Sequence, residues 1–386
     1  MRDFLRNGRL LTLMLGHLTV DSYAGVLPVL YPLLIGRFHL SLATVGLVSL
    51  AYTGFAAVSQ PLFGVLVDRY GTRMTGAALG WTALTFSLVG FVPSFPWLLL
   101  LACASGLGSG AFHPSGALDV RALLPKLRLS FQLLGIRGTG LLVIPGIVSG
   151  GYLLWRMRSL PGAVTAPKGA GARYGRLPLG ALTVVILLMM SRSWTVSVFQ
   201  AFTPTWYKQL GYGPAFYGPL ATTLVLASAI GAIGCGTLAD RYGRRPVILA
   251  TLVLSLPAIL LYTLFPGPLA FGSAILLGFS AASTAPLMLL MAQQLMARRA
   301  GLASGLVMGL GFVTGAVGIP INGAIADKLT LQLSLLSQVV LVLVTIVIAW
   351  FLPSEELVER HALSSSAAPE EPALPAAPQG AGQTGR

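Results

Sequence analysis

Runs of 18 or more apolar residues recur along the whole chain, separated by short clusters of polar and charged positions. Runs of that length cross a bilayer as helices. They predict spanning segments at 10–35, 42–67, 74–92, 97–118, 138–155, 178–200, 217–239, 246–265, 268–291, 301–325 and 332–352, eleven in all. The links 36–41, 93–96 and 266–267 are short and nearly uncharged. The link 156–177 is long and basic, with Arg156, Arg158, Lys168, Arg173 and Arg176. It divides a first helical half, 1–155, from a second, 178–352. The tail 353–386 is rich in Ala, Pro, Ser and Glu, cannot bury a core, and is expected to be disordered.

Composition agrees with an all-α, polytopic membrane protein. Hydrophobic residues make up 55% of the 386, charged residues only 9%, and the mean hydropathy is +0.81. A soluble domain is about a quarter charged. The net charge of +14 would suggest a nucleic-acid partner in a soluble chain, but its placement argues otherwise. Of the 25 basic residues, 20 fall in the amino-terminal arm, two repeated turns, 121–128, 156–177, Arg298/Arg299 and the tail. Arg37, Arg137, Lys208 and Lys328 fall in the other loops, and Arg192 lies inside a span. By the positive-inside rule both termini and both turns are expected in the cytoplasm of a cell whose plasma membrane the chain crosses. No nucleic-acid partner is expected. Met1–Gly25 has arginines and then an apolar run, as a signal peptide has. Gly16, His17 and Asp21 interrupt that run and no clean cleavage site follows, so it is expected to stay as the first helix. Cys103 and Cys235 sit inside apolar segments and define no disulfide framework.

The chain contains an internal repeat. Gly64-Val65-Leu66-Val67-Asp68-Arg69-Tyr70-Gly71-Thr72-Arg73 returns as Gly236-Thr237-Leu238-Ala239-Asp240-Arg241-Tyr242-Gly243-Arg244-Arg245, with seven of ten positions identical. Each copy lies between two spanning segments, which makes the chain two related halves. Asp68 and Asp240 can meet the start of a helix, where exposed N–H groups favour an anion. Arg69, Arg73, Arg241, Arg244 and Arg245 hold the turns at a water surface and can reach acidic groups or lipid phosphates. Gly71 and Gly243 permit backbone conformations that a side chain resists.

The repeat also sets a parity problem. Two turns on one face need an even number of crossings between them, and the hydropathy pattern supplies five. Residues 121–137 would have to be the sixth. They are 17 residues with four charges and a proline, about 25 Å if wholly helical, and make a poor span.

The paired Gly-x-x-x-Asp-Arg-x-Gly-x-Arg turns resemble those of the major facilitator superfamily, over roughly residues 8–353. Within it, His17-Leu18-Thr19-Val20-Asp21-Ser22-Tyr23 followed by Leu27-Pro28, Gly110-Ala111-Phe112-His113-Pro114, and the Gly-rich 301–318 run are similar to the fosmidomycin-resistance branch of drug efflux transporters. The resemblance implies a two-half helical bundle of about 11 helices, with most of the family's fifth helix missing near 121–137. Thr72 departs from the basic residue usual in the first turn. The family's Gly/Pro-rich fifth-helix gating motif is not found. These departures make a transport-defective remnant one of the readings.

Candidate chemistry is sparse. His17 and Asp21 are four apart, hence on one face of the first helix. A carboxylate inside a span normally faces a cavity or a partner, so Asp21 either carries a proton, with His17 beside it, or hydrogen-bonds a neighbouring helix. Arg192 lies deep in 178–200 and is the candidate for an anionic substrate group, the alternatives being snorkelling or a structural pair with Asp21. His113 precedes Pro114 in a Gly-rich helix and reads either as a substrate contact or as a satisfied structural histidine. Trp194, Phe199, Phe202 and Trp206 form an aromatic strip that either meets substrate or anchors the interface. Gly301, Gly305 and Gly309, like Gly106 and Gly110, suit helix packing. No metal-ligand spacing, phosphate-binding loop or nucleophile elbow is present, so neither a cofactor nor an enzymatic activity is expected. The expected function is proton-coupled export of a small, drug-like, anionic compound by a monomer in the bilayer. A facilitator for uptake of a small anion is the alternative among working transporters.

Overall fold

The computed structural model describes residues 8–70, 73–112, Arg137, Gly140, 143–157, 178–296 and 300–358. Helices account for nearly all of them, with no strand among the described residues. In chain order they are α1 (Gly8–Phe38), α2 (Leu42–Tyr70), α3 (Arg73–Ser87, prolonged by a 3₁₀ turn Leu88–Phe91), α4 (Phe95–Phe112), α5 (Val143–Met157), α6 (Leu179–Gln209), α7 (Pro214–Tyr242), α8 (Arg244–Leu264), α9 (Ala270–Ala282), α10 (Ala285–Leu295), α11 (Ala300–Lys328), α12 (Leu331–Leu336) and α13 (Gln338–Ala349). Among the described residues nine stretches are long and apolar enough to span a membrane, α9–α10 and α12–α13 each counting as one. Two shorter apolar helices, 76–91 and 143–155, bring the total to the eleven predicted.

The second turn defines a face, called here the turn face, where α7 ends and α8 begins. Helix α8 leaves it, α9–α10 return, and α11 leaves again to end at Lys328 on the far face. The Asp327 carboxylate, in the last turn of α11, accepts hydrogen bonds from Leu42 N at 2.8 Å and Ala43 N at 2.9 Å. Helix α2 therefore starts on the far face and ends, with Asp68 in its last turn, on the turn face. Both repeated turns open on the same side.

Small residues let these helices approach as lipid-embedded helices must, by close van der Waals packing rather than by a hydrophobic drive. A methyl group built on Gly46 of α2 would fall 2.8 Å from Pro320 Cα of α11. One on Gly76 of α3 would fall 2.6 Å from the Gly150 carbonyl of α5. Gly106 and Gly110 do pack against α2, at Tyr52 and Ala56. Gly309 does not pack: nothing lies within 4 Å of its would-be methyl, and on α11 it is Gly311, Gly315 and Gly318 that meet α6. Gly301 and Gly305 carry no described side-chain environment.

Helix α4 comes in from the far face as far as Phe112, which packs over Gly16 of α1. Gly140 lies beside Phe91 at the far-face end of α3. From there α5 runs back toward the turn face, bringing Leu154 against Gly76. The chain on either side of 113–136 thus stands at different depths, as an even number of crossings requires. Apart from Arg137, the truncated helix expected at 121–137 lies outside the described residues, as do the loop 158–177 and the tail beyond Val358.

Two differences from the expected boundaries matter. Helix α6 continues nine residues past 200, through Pro204, to Gln209. The tail does not lose order at Pro353. Residues 355–358 form a helical turn, Val358 is buried, and the Glu355 carboxylate accepts Arg244 N at the start of α8. An acid at the first turn of a helix meets N–H groups that have no partner within the helix.

Candidate functional site

Three groups of polar side chains stand out within or between the helices. The first surrounds Asp21 on α1, which is partly buried. Helix α4 approaches α2 closely at Gly106 and Gly110. The buried Tyr52 of α2 has Ser109 of α4 and Asp21 as polar neighbours. Thr19, two residues before Asp21, shares a hydrogen bond of 3.1 Å with Ser149 of α5. Tyr52 is thus a polar group that α2 brings to the neighbourhood of Asp21. The side chain of His17, expected beside it, is not among those described. His113 also lies outside the described residues, one position past the end of α4.

The second group surrounds Arg192 on α6. Only 5% of Arg192 is exposed. Its Nη2 donates to the Ser280 carbonyl at 2.5 Å, while Nε and Nη1 have no partner among the described residues. Ser280 lies in the last turn of α9, just before the break at Ser283–Thr284 that separates α9 from α10. Pro286 follows the break; it has no N–H to continue the helical ladder. Beside it, Cys235 Sγ of α7 donates to Ser283 Oγ at 3.2 Å, and the buried Thr284 hydroxyl has no partner among the described residues. The hydrogen-bonded partner of the guanidinium thus lies on α9, among the helices of the second half. Buried donors are normally satisfied, so two unpaired guanidinium positions in one site call for a ligand or an ion.

Asp21 and Arg192 nonetheless occupy matching places. Helices α1 and α6 both end on the far face, at Phe38 and Gln209. Asp21 is 17 residues before Phe38, and Arg192 is 17 residues before Gln209 (38 − 21 and 209 − 192). At 1.5 Å per residue both lie about 25 Å from those ends.

The aromatic strip divides. Trp194 is partly buried, with its indole flat against Gly318 of α11 at 2.8 Å from the would-be methyl. Phe199, Phe202 and Trp206 are buried, and they pack on Tyr262 of α8 and Tyr31 of α1, with ring centroids 5.6–6.2 Å apart. These three belong to the hydrophobic core.

The third group joins α1 and α2 to α6 and α11 on the far face. Besides the Asp327 bonds to α2, Lys208 Nζ donates to the Pro32 carbonyl at 3.0 Å. The residues of the two turns lie at the other end of the bundle. Gly64, Asp68, Arg69 and Arg73 sit at the end of α2 and the start of α3 with no described side-chain environment, and Gly71 is outside the described residues. In the second turn Asp240 is exposed, and Gly243 adopts φ +87°, a conformation natural to glycine. Arg244 donates to Gln294 Oε1, Arg245 donates to the Trp350 carbonyl at 2.8 Å, and the Arg241 guanidinium lies 5.2 Å from the Tyr242 ring centroid. Gly236, one turn earlier, has open space around it.

Tyr52, Ser109 and Asp327 were not singled out from the sequence. A tyrosine in the apolar run 42–67 was the available signal for Tyr52. Asp327, beside Lys328 in a short loop, looks like ordinary surface charge.

Comparison with known proteins bears on what such a bundle does. The sequence profile of the Major Facilitator Superfamily matches residues 13–160 and 182–380. YfnC of Bacillus subtilis, an uncharacterised MFS-type transporter, is 28% identical over 380 residues, covering 88% of this chain and 91% of its own. The fosmidomycin resistance protein of Escherichia coli is 25% identical over 364 residues, covering 84% and 88%. Among solved structures, a bacterial homologue of the human lysosomal transporter Spinster, inward-facing and occupied, superposes with a TM-score of 0.70 at 14% identity, over 94% of this chain and 99% of that one. The nucleoside transporter NupG superposes with a TM-score of 0.68 at 14% identity, over 89% and 100%. The two structures show that the fold is shared.

Proposed function

The chain belongs to the major facilitator superfamily of membrane transporters, and from that premise we propose that it exports a small, drug-like anion such as a phosphonate in exchange for protons. The observation that carries this reading is Arg192, a buried cation with two unpaired donor positions at the depth of Asp21. A planar guanidinium with two free N–H directions suits bidentate capture of a phosphonate or carboxylate. Asp21, with Tyr52 as a polar neighbour, would take the proton. His17, His113 and Trp194 would complete the lining of the pathway. The name of the Escherichia coli relative supports the substrate class.

In this reading the units 1–155 and 178–352 rock against each other about the pathway, joined by 156–177. The turns at Asp68 and Asp240 would lock and release a cytoplasmic gate. The transporter would work as a monomer in the plasma membrane, with both termini in the cytoplasm. The test is proton-driven uptake into inside-out vesicles, the direction that corresponds to export from the cell. Asp21→Asn should abolish it while membrane insertion is unchanged. Undiminished uptake by Asp21→Asn would remove the proton role.

A further inference from the structure

We propose that Asp327 is a positioning residue of the transport cycle: its carboxylate latches the far face shut by capping α2, and must let go for that face to open. The inference rests on the chain being a transporter of this family, and on no particular substrate or coupling ion.

The first turn of any helix leaves N–H groups without partners inside the helix. In α2 each of the first four is accounted for. Val45 N donates to the Ser41 carbonyl at 3.0 Å, and Thr44 N donates to Ser41 Oγ at 3.1 Å. Ser41 thus caps its own helix in the ordinary way. Leu42 N and Ala43 N remain beyond its reach. The two oxygens of Asp327 take one each, across 285 and 284 residues of sequence. The capping of α2 is therefore shared between the two helical sets, and one part of it breaks whenever α2 and α11 separate at this end.

The surroundings fit a latch more than a permanent strut. Asp327 is exposed, so water can replace either partner when the contact opens. Deeper in, Gly46 against Pro320 holds α2 and α11 backbone to backbone, so the pair can tilt about that contact. Lys208 on α6, bonded to the Pro32 carbonyl of α1, spans the same seam beside it. The carboxylate also matches the positive end of the α2 dipole, an attraction lost when the charge is removed. An amide in its place keeps one acceptor but no charge.

The test reads conformation directly. Spin labels at Ser94→Cys and Leu269→Cys, in a chain with Cys103 and Cys235 replaced by Ser, report the far-face separation of the two sets by double electron–electron resonance. The purified, full chain in nanodiscs without substrate should show mainly the short distance. Asp327→Asn should raise the long-distance population about fivefold, the size expected when one of the two hydrogen bonds and the attraction to the helix dipole are lost. Asp327→Glu should restore the short distance. Ala43→Pro removes one of the two donors at a first-turn position that tolerates proline, leaves Asp327 in place, and should shift the distribution the same way. Folding of each variant is checked by a single size-exclusion peak. If Asp327→Asn does not fold, Ala43→Pro decides. An unchanged distance distribution in the folded variants would overturn the proposal, whatever the substrate proves to be.

Discussion

Replacing Arg192 by Met separates a structural arginine from a ligand-binding one, because the two predict opposite effects on stability. An arginine inside a span costs about 2.5–3.5 kcal/mol on insertion scales. Against that cost stands one charge-assisted hydrogen bond, to the Ser280 carbonyl, worth about 1.5–3 kcal/mol. Nε and Nη1 add no hydrogen bond among the described residues. The two sides nearly cancel, so Arg192→Met should leave thermal stability unchanged or slightly raised. Binding should respond differently. An anion meeting both free donor positions gains two such bonds, about 3 kcal/mol at the low end, which is roughly a 100-fold change in affinity. The assay is thermal unfolding in detergent with and without a phosphonate, followed by titration of the phosphonate and of a neutral compound that the protein also binds. Arg192→Met should lose the phosphonate-induced shift and the anion affinity and keep the neutral one. Equal losses for both compounds, or a protein destabilised by several kcal/mol, would show that the guanidinium is structural.

Two further outcomes follow from the packing and the topology. Gly46→Ala should destabilise the protein by about 1–3 kcal/mol, because its methyl meets Pro320 backbone that cannot swing aside; an unaltered melting temperature would mean that the α2–α11 contact yields easily. A single cysteine at Arg137 and another at Arg245 should react with a membrane-impermeant reagent from opposite sides of the bilayer, because Gly140 lies at the far-face end of α3 and Arg245 at the turn face; labelling from one side only would leave the crossing number odd.

The spans were legible because a bilayer demands about 20 apolar residues per helix and hydropathy reports that demand directly. The extension of α6 was not. Past residue 200 the sequence holds Thr203, Pro204 and Thr205, which read as a helix end, yet the Thr203 hydroxyl is satisfied by the Phe199 carbonyl and Tyr262 Oη, at 2.7 and 2.8 Å. Arg192 was legible as unusual, since a cation in an apolar run needs a reason. The side on which its partner lies was not, because that depends on how α9 breaks. Asp327 was hidden for a related reason: its partners are backbone N–H groups, which carry no residue signature at all. The order of Pro353–Val358 was concealed by composition, since one acid docked on a helix end outweighs a disorder-prone neighbourhood.

The presence of both a carboxylate and a guanidinium within the spans, Asp21 on α1 and Arg192 on α6, bears on the energy available for transport. In the proposed cycle one proton enters as one monoanion leaves, and both movements carry positive charge inward. Each elementary charge crossing the membrane is worth about 2.3 kcal/mol per 100 mV. Two charges supply about 4.6 kcal/mol, enough to sustain a gradient of more than a thousandfold at 100 mV with no pH difference. Such an exchanger would slow markedly when the voltage is collapsed by a potassium ionophore and persist when the pH gradient alone is removed. A proton-carrying carboxylate paired with an anion-binding guanidinium would make the membrane potential, rather than acidity, the main source of power.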